Sequence, residues 1–314
     1  MDRIIYIAGC DKEGGIYSCR LSDSGVAEIL HKMPCDRPMF LAKENGYLYV
    51  VLREDGESTL ERYKIGENGL LSCCEKLGKT GGTCGCHLTV HNGISYVANY
   101  VSGSIASVPG KVVQYVGGGV NLPRQDGPHA HYTCITPDGK YVLAVNLGDD
   151  TIYTYDLELN EIATAKVPDG EGCRHLVFSP DGKICYCANE LGSSVTVFLY
   201  DDGVLTRKET YSTLPEDYNE KNTVAAIRYK DGFVYVTNRG HNSVAIFKAD
   251  GEKLSVENIA DIGGDFPRDM DIFGDIMVVT NQFSNTVTFL KVSGGKTELL
   301  ETELEIPVPL CVIE

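Results

Sequence analysis

One short pattern recurs seven times along this chain: an apolar run, a polar gap of a few residues, and a second run rich in β-forming residues. In five copies the first run ends in Asn, and the two earliest copies carry Gly9 and Leu52 at that position. The seven positions are 9, 52, 99, 146, 189, 238 and 281, which are 43, 47, 47, 43, 49 and 43 residues apart. A period of about 45 residues accommodates about four short strands and is typical of one blade of a β-propeller.

An opening apolar run precedes every copy of the pattern except the first. The six opening runs lie at 38–42, 86–90, 130–135, 175–178, 224–228 and 268–272. The C-terminus provides the missing one, because LCVI at 310–313 follows a proline in the same pattern. We therefore predict an all-β fold, a single seven-bladed β-propeller domain of four-stranded blades over residues 1–314. The C-terminal strand should complete the first blade and so close the ring.

The C-terminal residues also allow a second interpretation, since Cys311 to Glu314 has the form of a prenylation box. Glu is an unusual last residue for such a box, and no polybasic run precedes it. We therefore favour the closing strand.

Composition narrows the partners and the location of the protein. The net charge of −16 disfavours nucleic acid or an anionic membrane as a partner of the general surface, although a local cationic pocket is compatible with it. No apolar run approaches the ~18 residues of a membrane span, and MDRIIYIAGC resembles neither a signal peptide nor a transit peptide. Most of the 12 cysteines, Cys185 and Cys187 among them, lie inside apolar runs, as free buried thiols do. We expect a reduced protein in the cytoplasm.

The residues around the repeated Asn indicate the kind of propeller. The chain has no tryptophan, so it lacks the Trp-Asp pairs of WD repeats. Five segments are informative: CHLTVHNGISYVANYVSGSI, GPHAHYTCITPDGKYVLAVNLGDD, CRHLVFSPDGKICYCANELGSSVTV, VYVTNRGHNSVAIF and FPRDMDIFGDIMVVTNQFSNTV. Their order and spacing resemble the seven-bladed β-propeller lactonases, which include the bacterial propeller-type 6-phosphogluconolactonases and, as relatives, fungal muconate-lactonising enzymes. The resemblance covers nearly the whole chain and is strongest from Gly82 onward.

The resemblance implies a lactone hydrolase that uses no cofactor or metal and acts on a small anionic sugar lactone. Its most specific implication is hydrolysis of 6-phosphogluconolactone to 6-phosphogluconate in the pentose phosphate pathway. In the lactonising relatives a His, two Arg and a Glu line the pocket, and the motifs match these to His131, Arg174, Glu190 and Arg239. The resemblance thus implies that these four are catalytic, with His129 as the alternative match for the histidine.

Propeller geometry gathers further polar side chains on the same face. The loops that enter the first strand of a blade and leave the second strand open on one face of the ring. Arg174 and Glu190 should be neighbours there, because a hairpin brings the start of one strand beside the end of the next. His129 and His131 should share a strand face, being two residues apart. The predicted substrate-binding residues on this face are His87, His129, Asn146, His175, Arg268 and Gln282, with Asn99 and Asn281 beside them.

These residue types suit the hydrolysis of a lactone. The reaction needs a base that activates water, donors for the oxyanion and anchors for an anionic substrate. His131, as a residue that titrates near ~6.5, or Glu190 can be the base. Arg174 and Arg239 can bind the oxyanion or a phosphate through bidentate contacts. Charge for a phosphate can also come from Arg268, Arg124 and Arg37. The chain has no Gly-x-Ser-x-Gly elbow, which disfavours covalent serine catalysis.

Purely structural roles are the alternative for several of these residues. The Arg–Glu pair can be a brace between blades, and the repeated Asn can bond loop backbone, as Asn commonly does in turns. The paired histidines can also bind a metal with Cys84 or Cys86, next to His87. We expect no metal, because a structural zinc site usually shows a second clear pair of ligands.

Departures from the family pattern are concentrated in the first two blades. Ala8-Gly9-Cys10 stands where relatives commonly have Gly-Thr-Tyr, and Leu52 stands where an Asn is usual. In later blades Asn146 replaces a frequent Asp and Cys173 a frequent Pro. Two alternatives therefore stay open: a cycloisomerase or lactonase acting on another carboxylic acid lactone, and a non-catalytic propeller that binds a ligand or a protein. The sequence gives no prediction of the oligomeric state.

Overall fold

The protein is a ring of seven antiparallel β-sheets. The computed structural model describes residues 2–314 and places 28 strands in seven four-stranded sheets. One turn of 3₁₀ helix lies at Leu147–Asp149. Each sheet is one blade, so the predicted seven-bladed propeller is confirmed. Within residues 2–314, no helix is long and apolar enough to cross a bilayer.

The strands follow the order of the repeats. Blade 1 begins with β1 (Arg3–Gly9), β2 (Gly15–Leu21) and β3 (Ala27–Pro34). Blade 2 contains β4 (Pro38–Glu44), β5 (Tyr47–Leu52), β6 (Glu57–Ile65) and β7 (Leu71–Thr83). Blade 3 contains β8 (Gly85–His91), β9 (Ile94–Asn99), β10 (Ser104–Val108) and β11 (Val112–Gln114). Blade 4 contains β12 (Ala130–Ile135), β13 (Val142–Asn146), β14 (Thr151–Tyr155) and β15 (Glu161–Lys166).

The remaining strands complete the ring. Blade 5 contains β16 (Cys173–Phe178), β17 (Ile184–Asn189), β18 (Ser194–Asp201) and β19 (Val204–Ser212). Blade 6 contains β20 (Thr223–Lys230), β21 (Phe233–Arg239), β22 (Ser243–Asp250) and β23 (Lys253–Asp261). Blade 7 contains β24 (Pro267–Phe273), β25 (Ile276–Asn281), β26 (Thr286–Ser293) and β27 (Lys296–Glu305), and β28 (Pro309–Ile313) returns to blade 1.

The first strand of each blade lies on the propeller axis, in contact with the first strands of its neighbours. The second strands are buried on both faces, as in β13 and β25, where every residue is buried. Neighbouring blades cover both faces of each sheet, and clusters of apolar side chains fill the spaces between them. The continuous apolar runs of the sequence are therefore a consequence of blade stacking.

The repeated Asn residues join strands and blades. Asn99, Asn189, Asn238 and Asn281 are fully buried at the ends of their second strands. Asn189 donates to two hydroxyl groups on the third strand of its own blade. Asn238 also exchanges hydrogen bonds with Thr213, which follows the outer strand of the preceding blade. A structural role is thus the observed one for these side chains, with hydroxyl groups as the main partners.

The ring closes where the sequence predicts. β28 pairs antiparallel with β1, with Tyr6 opposite Ile313 and Ala8 opposite Cys311. Arg3 and Glu314 form an ion pair of 3.2 Å beside this junction. Cys311 is fully buried, which confirms the closing strand over the prenylation box.

Aromatic and ionic side chains fill the axis below one face of the ring. The His87 ring lies 4.1 Å from both Phe40 and Tyr132, centroid to centroid, and 5.4 Å from His175. Further along the axis, Arg228 pairs with Asp269 at 3.1 Å and with Asp271 at 3.4 Å. These side chains separate the face described below from the opposite end of the ring.

Candidate active site

A pocket of about 580 Å³ opens at the axis on the face where the second strands end. Every blade contributes to its lining, through loops and the first residues of the inner strands. The lining includes Cys10, Met39, Arg53, Cys84, Cys86, Tyr100, Arg124, His131, Glu190, Lys221, Arg239, Phe266, Arg268, Gln282, Val308 and Leu310.

The residue immediately after each repeated Asn position supplies one set of these side chains. In chain order the seven residues are Cys10, Arg53, Tyr100, Leu147, Glu190, Arg239 and Gln282. Six of them line the pocket. Leu147 is the exception, because it is buried and the segment before β12 lies against it, with Gln125 bound to its carbonyl.

A β-bulge near the start of each inner strand supplies a second set. In blade 5, for example, Cys173 pairs with Asn189 and His175 with Ala188, which leaves Arg174 as the extra residue. A bulge of this kind re-aims a side chain. The extra residues are Met39, Cys86, His131, Arg174, Arg268 and Leu310, and blade 6 has the small residues Ala225–Ala226 at this point.

Glu190 is at the centre of a buried cluster of charges. Its Oε2 atom lies 3.0 Å from Nε of Arg174 and 2.8 Å from a terminal nitrogen of Arg239. Its Oε1 atom lies 2.5 Å from a terminal nitrogen of Arg124, and Nε2 of His131 is 3.9 Å from Oε2. Burial alone would raise the pKa of Glu190, but Arg239, Arg174 and the other cations lower it well below its usual range. Glu190 is therefore a carboxylate at neutral pH. We call these five residues the Glu190 cluster.

His131 is the buried, neutral member of the Glu190 cluster. Burial and the charge of Arg174 lower its pKa well below the usual value, against the opposing effect of Glu190. Its Nδ1 atom has no hydrogen-bond partner among the described residues. The rings of Tyr100 and His131 are nearly perpendicular, with their centroids 5.6 Å apart. The bulge thus presents an uncharged imidazole, which retains a lone pair, at the pocket wall.

The arginines of the Glu190 cluster occupy different levels. Arg174 is 2 % exposed and lies beneath the pocket, where it donates to Glu190 and to Nε2 of His175 at 3.1 Å. Arg239 lines the pocket, donates to the carbonyl of Val224 at 2.8 Å and lies 5.1 Å from the Phe266 ring. Arg174 therefore does not line the pocket and contacts its wall through Glu190, whereas Arg239 faces the pocket directly.

Arg124 comes from a segment without regular structure, residues 115–129, between β11 and β12. Besides Glu190, its guanidinium contacts the hydroxyl of Tyr100 at 3.2 Å. The sequence suggested Arg124 as a source of charge for a phosphate. In the structure its charge is directed at Glu190, and its side chain is still 43 % exposed at the pocket rim.

The structure brings half of the ten predicted site residues into the pocket: His131, Glu190, Arg239, Arg268 and Gln282. Arg174 and His175 lie in the layer below, beside a void of about 10 Å³, and His87 lies deeper on the axis. Burial lowers the pKa of both His87 and His175, with help from Arg174.

Two predicted binding residues lie to the side of the pocket. His129 stacks on Tyr100 at 4.5 Å. Asn146 accepts hydrogen bonds from the backbone N–H of His129 at 2.7 Å and of Gly148 at 3.1 Å, so it fixes the loop. Arg37, the third suggested phosphate ligand, is held by Asp55 at 2.7 Å and Asp36 at 3.3 Å.

Sequence reasoning missed several pocket residues, and one signal would have found three of them. Cys10, Arg53 and Tyr100 occupy the same position after the repeated Asn as Glu190 and Arg239. Three further omissions had no repeat to identify them, since they lie in loops before the inner strands. These three are Lys221, Phe266 and Val308.

The cysteines next to His87 do not form a metal site. The thiol of Cys86 points at the carbonyls of Ala130 and His131, at 3.6 and 3.5 Å. The Nδ1 atom of His87 accepts from the backbone N–H of Thr133. Across residues 2–314, no three His, Cys, Asp or Glu side chains are grouped so that they could hold a metal ion.

Comparison with known proteins gives a consistent family and architecture. The family model described as Lactonase, 7-bladed beta-propeller matches residues 4–314. A solved structure from Lactobacillus plantarum is 31% identical, with a TM-score of 0.91 over 99% of each chain. A provisionally named 6-phosphogluconolactonase from Bacteroides fragilis is 27% identical, with a TM-score of 0.89 over 99% of this chain and 97% of that one. The periplasmic gluconolactonase of Pseudomonas aeruginosa is 25% identical, with a TM-score of 0.87 over 98% of both chains.

Proposed function

This chain belongs to the seven-bladed β-propeller lactonase family, and on that premise we propose that it hydrolyses 6-phosphogluconolactone to 6-phosphogluconate, a step of the pentose phosphate pathway. The observation that carries the proposal is the Glu190 cluster, in which a neutral imidazole and two pocket-facing guanidinium groups surround one clamped carboxylate. Water activation and oxyanion stabilisation need these two kinds of group side by side.

We assign the general base to His131. Guanidinium groups engage both oxygens of Glu190, whereas the Nδ1 atom of His131 has no hydrogen-bond partner among the described residues. His131 is uncharged at neutral pH, so it can accept a proton from water without first losing one. The role of Glu190 is then to stabilise the imidazolium that forms next to it and to orient the arginines.

The reaction follows from these roles. A water oxygen attacks the lactone carbonyl carbon while His131 takes the proton from that water. The carbonyl oxygen becomes an oxyanion, which Arg239 and Arg124 stabilise from the pocket wall. The tetrahedral species collapses, the bond from the carbonyl carbon to the ring oxygen breaks, and His131 returns its proton to the leaving alkoxide. The product is the open-chain hydroxy acid.

The charge of the pocket supports a phosphorylated substrate. The pocket is lined by five cationic side chains, Arg53, Arg124, Arg239, Arg268 and Lys221, and by Glu190 as the acidic one. The whole protein has a net charge of −16, so this concentration of positive charge is local. Such a site attracts an anionic ligand in preference to a neutral sugar lactone.

The apolar wall favours a second candidate, a lactonase or cycloisomerase acting on another carboxylic acid lactone. Met39, Val308 and Leu310 line the side formed by blades 1 and 2, where the sequence departs most from the family pattern. An apolar wall suits a hydrocarbon portion of a substrate better than a polyhydroxylated chain.

A panel of phosphorylated and plain sugar lactones, together with an unsaturated carboxylic acid lactone, tests the proposal. Each lactone hydrolyses unaided, so rates are measured by proton release against the same lactone without protein. We expect the largest acceleration with 6-phosphogluconolactone, and loss of about 100-fold or more in Glu190→Gln. A folded protein that accelerates no lactone would overturn the proposal, and preference for the unsaturated lactone would favour the second candidate.

We further propose that the protein acts in the cytoplasm. All 12 cysteines are free thiols, and most of them are buried, which suits a reducing compartment. Cell fractionation followed by immunoblotting tests this, and recovery outside the cytosolic fraction would contradict it.

A further inference from the structure

The side chains of two pocket arginines form no ion pair or hydrogen bond within residues 2–314, unlike those of the other arginines. The chain contains 11 arginines. Nine of their side chains form an ion pair or a hydrogen bond with the described part of the chain: Arg3, Arg20, Arg37, Arg62, Arg124, Arg174, Arg207, Arg228 and Arg239. The guanidinium groups of Arg53 and Arg268 form neither with residues 2–314, and both line the pocket.

These two arginines converge on one region of the wall. Arg53 follows β5 in blade 2 and Arg268 is the bulge residue of β24 in blade 7, with blade 1 between them. Cys10 of blade 1 lies close enough to Arg53 and Arg268 for both charges to affect its thiol. Burial raises the pKa of the Cys10 thiol to about 11, and the charges of Arg53 and Arg268 oppose that rise. An anionic group next to Cys10 would therefore be attracted by two guanidinium groups that form no ion pair with residues 2–314.

Arg53 stands across the pocket from Glu190, whereas Arg268 lies between that wall and the Glu190 cluster, where it shares a void with Arg174. In a ring of seven blades, blades 1 and 2 are opposite blade 5, which carries Glu190. A side cavity of about 580 Å³, lined by Arg37, Arg53, Glu54, Asp55, Thr83 and Cys84 among others, adjoins the pocket at Cys10, Arg53 and Cys84. The wall near Arg53 thus has room for a substituent at the end of the substrate remote from the lactone carbonyl.

We propose that Arg53 and Arg268 form a phosphate subsite that selects phosphorylated sugar lactones. The inference rests on the proposed lactone hydrolysis and assigns its substrate preference to two particular side chains. Guanidinium groups suit this role, because their planar donor fork matches phosphate oxygens and they keep their charge at all physiological pH values. Arg37 is excluded from it by its own carboxylate partners.

The test compares two substrates in matched variants. For 6-phosphogluconolactone and glucono-δ-lactone, kcat/KM is measured in the wild type, Arg53→Gln, Arg268→Gln and the double variant. Arg20→Gln is the control, since it removes the same charge from the far end of blade 1, opposite Ile4. We expect the preference for the phosphorylated lactone, as a ratio of kcat/KM values, to fall about 10- to 100-fold for each substitution. The control should keep the wild-type ratio.

A binding measurement tests the phosphate subsite independently of the proposed lactone hydrolysis. Calorimetry with 6-phosphogluconate and with gluconate measures the contribution of the phosphate without any turnover. Phosphate-dependent binding that weakens in both variants supports the subsite, even if the wild type hydrolyses no lactone and the proposed function fails. The subsite is overturned if the variants keep the wild-type preference for the phosphorylated lactone. It is also overturned if variants with the wild-type melting temperature lose affinity equally for 6-phosphogluconate and gluconate. Either result leaves the hydrolase proposal intact.

Discussion

The Nε atom of Arg174 lies 3.0 Å from Oε2 of Glu190 although 16 positions separate the two residues, and both are buried. The hairpin between β16 and β17 predicts this proximity, and the structure confirms it. The hairpin alone does not predict how deep along the propeller axis each of the two side chains lies. The bulge at Arg174 puts the guanidinium under the carboxylate, so that Arg174 acts on the pocket by holding Glu190.

Arg174→Ala tests whether Arg174 positions Glu190 for the reaction or only stabilises the fold. Truncating one partner of a buried ion pair costs about 3–5 kcal/mol of stability, and we expect kcat/KM to fall about 100-fold. The charge of Arg174 lowers the pKa of His131, so its removal should raise that pKa. The acid limb of the pH–rate profile, where the rate falls as His131 is protonated, should then move to higher pH. A folded variant with an unmoved acid limb would show that Arg174 is only a brace.

His131→Gln tests the assignment of the base. We expect kcat to fall about 10²- to 10⁴-fold, the usual contribution of general base catalysis, and the acid limb of the pH–rate profile to disappear. His129→Gln is the matched control, because His129 stacks on Tyr100 beside the pocket and does not line it. If the two variants lost activity equally, His131 would not be the base.

Arg124 and Tyr100 should act together on Glu190. Their side chains are 3.2 Å apart, and Arg124 reaches Oε1 of Glu190. Arg124→Ala should lower kcat/KM about 10-fold and leave the melting temperature nearly unchanged, since the side chain is largely at the rim. A double-mutant cycle with Tyr100→Phe measures the coupling, which we expect to be about 0.5–1.5 kcal/mol. Additive effects would contradict this arrangement.

The fold could be predicted from the sequence because its signals are local and repeated. Every blade repeats the apolar runs at a similar spacing, and five of the seven repeat the Asn. The first blade lacks an opening run, which identifies the closing strand. The bulges could not be predicted, since polar and apolar residues do not alternate regularly along the inner strands and one extra residue leaves no trace in such a pattern. For that reason Arg174 and His175, which the sequence predicts to line the pocket, lie below it. Arg124 depends on the path of residues 115–129, for which the sequence has no periodicity.

The axial histidines predict how stability varies with pH. Burial lowers the pKa of His87, His131 and His175 in the folded protein, so the unfolded chain binds more protons below its own histidine pKa of about 6.5. The contribution of these histidines to the free energy of unfolding is complete above that pH. It declines as the pH falls below it, by up to about 1.4 kcal/mol per pH unit for each histidine. Urea unfolding at pH 7.5 and 5.5 checks this. His87→Phe should reduce the difference between the two free energies of unfolding by about a third. Equal free energies of unfolding at the two pH values in the wild type would refute the prediction.

Deleting residues 309–314 should prevent folding. The deletion exposes the inner edge of β1 and removes Leu310, Cys311 and Val312, each worth about 1.5–3 kcal/mol of burial. Arg3→Ala, which breaks only the exposed ion pair at the same junction, should cost no more than about 1 kcal/mol. Circular dichroism melting curves of the two variants check this. A truncated chain that melts like the wild type would show that ring closure contributes little to stability.

Closure by β28 also has a consequence for the way the protein is made in the cell. The strand that completes the first blade is synthesised after the 27 other strands, so β1 waits with an unpaired edge until β28 has been made. At typical elongation rates that wait lasts roughly 15 to 60 s for a chain of this length. An open strand edge is a template for pairing with other nascent chains. The yield of native protein should therefore depend on chaperone supply and growth temperature more strongly than the stability of the closed ring would suggest.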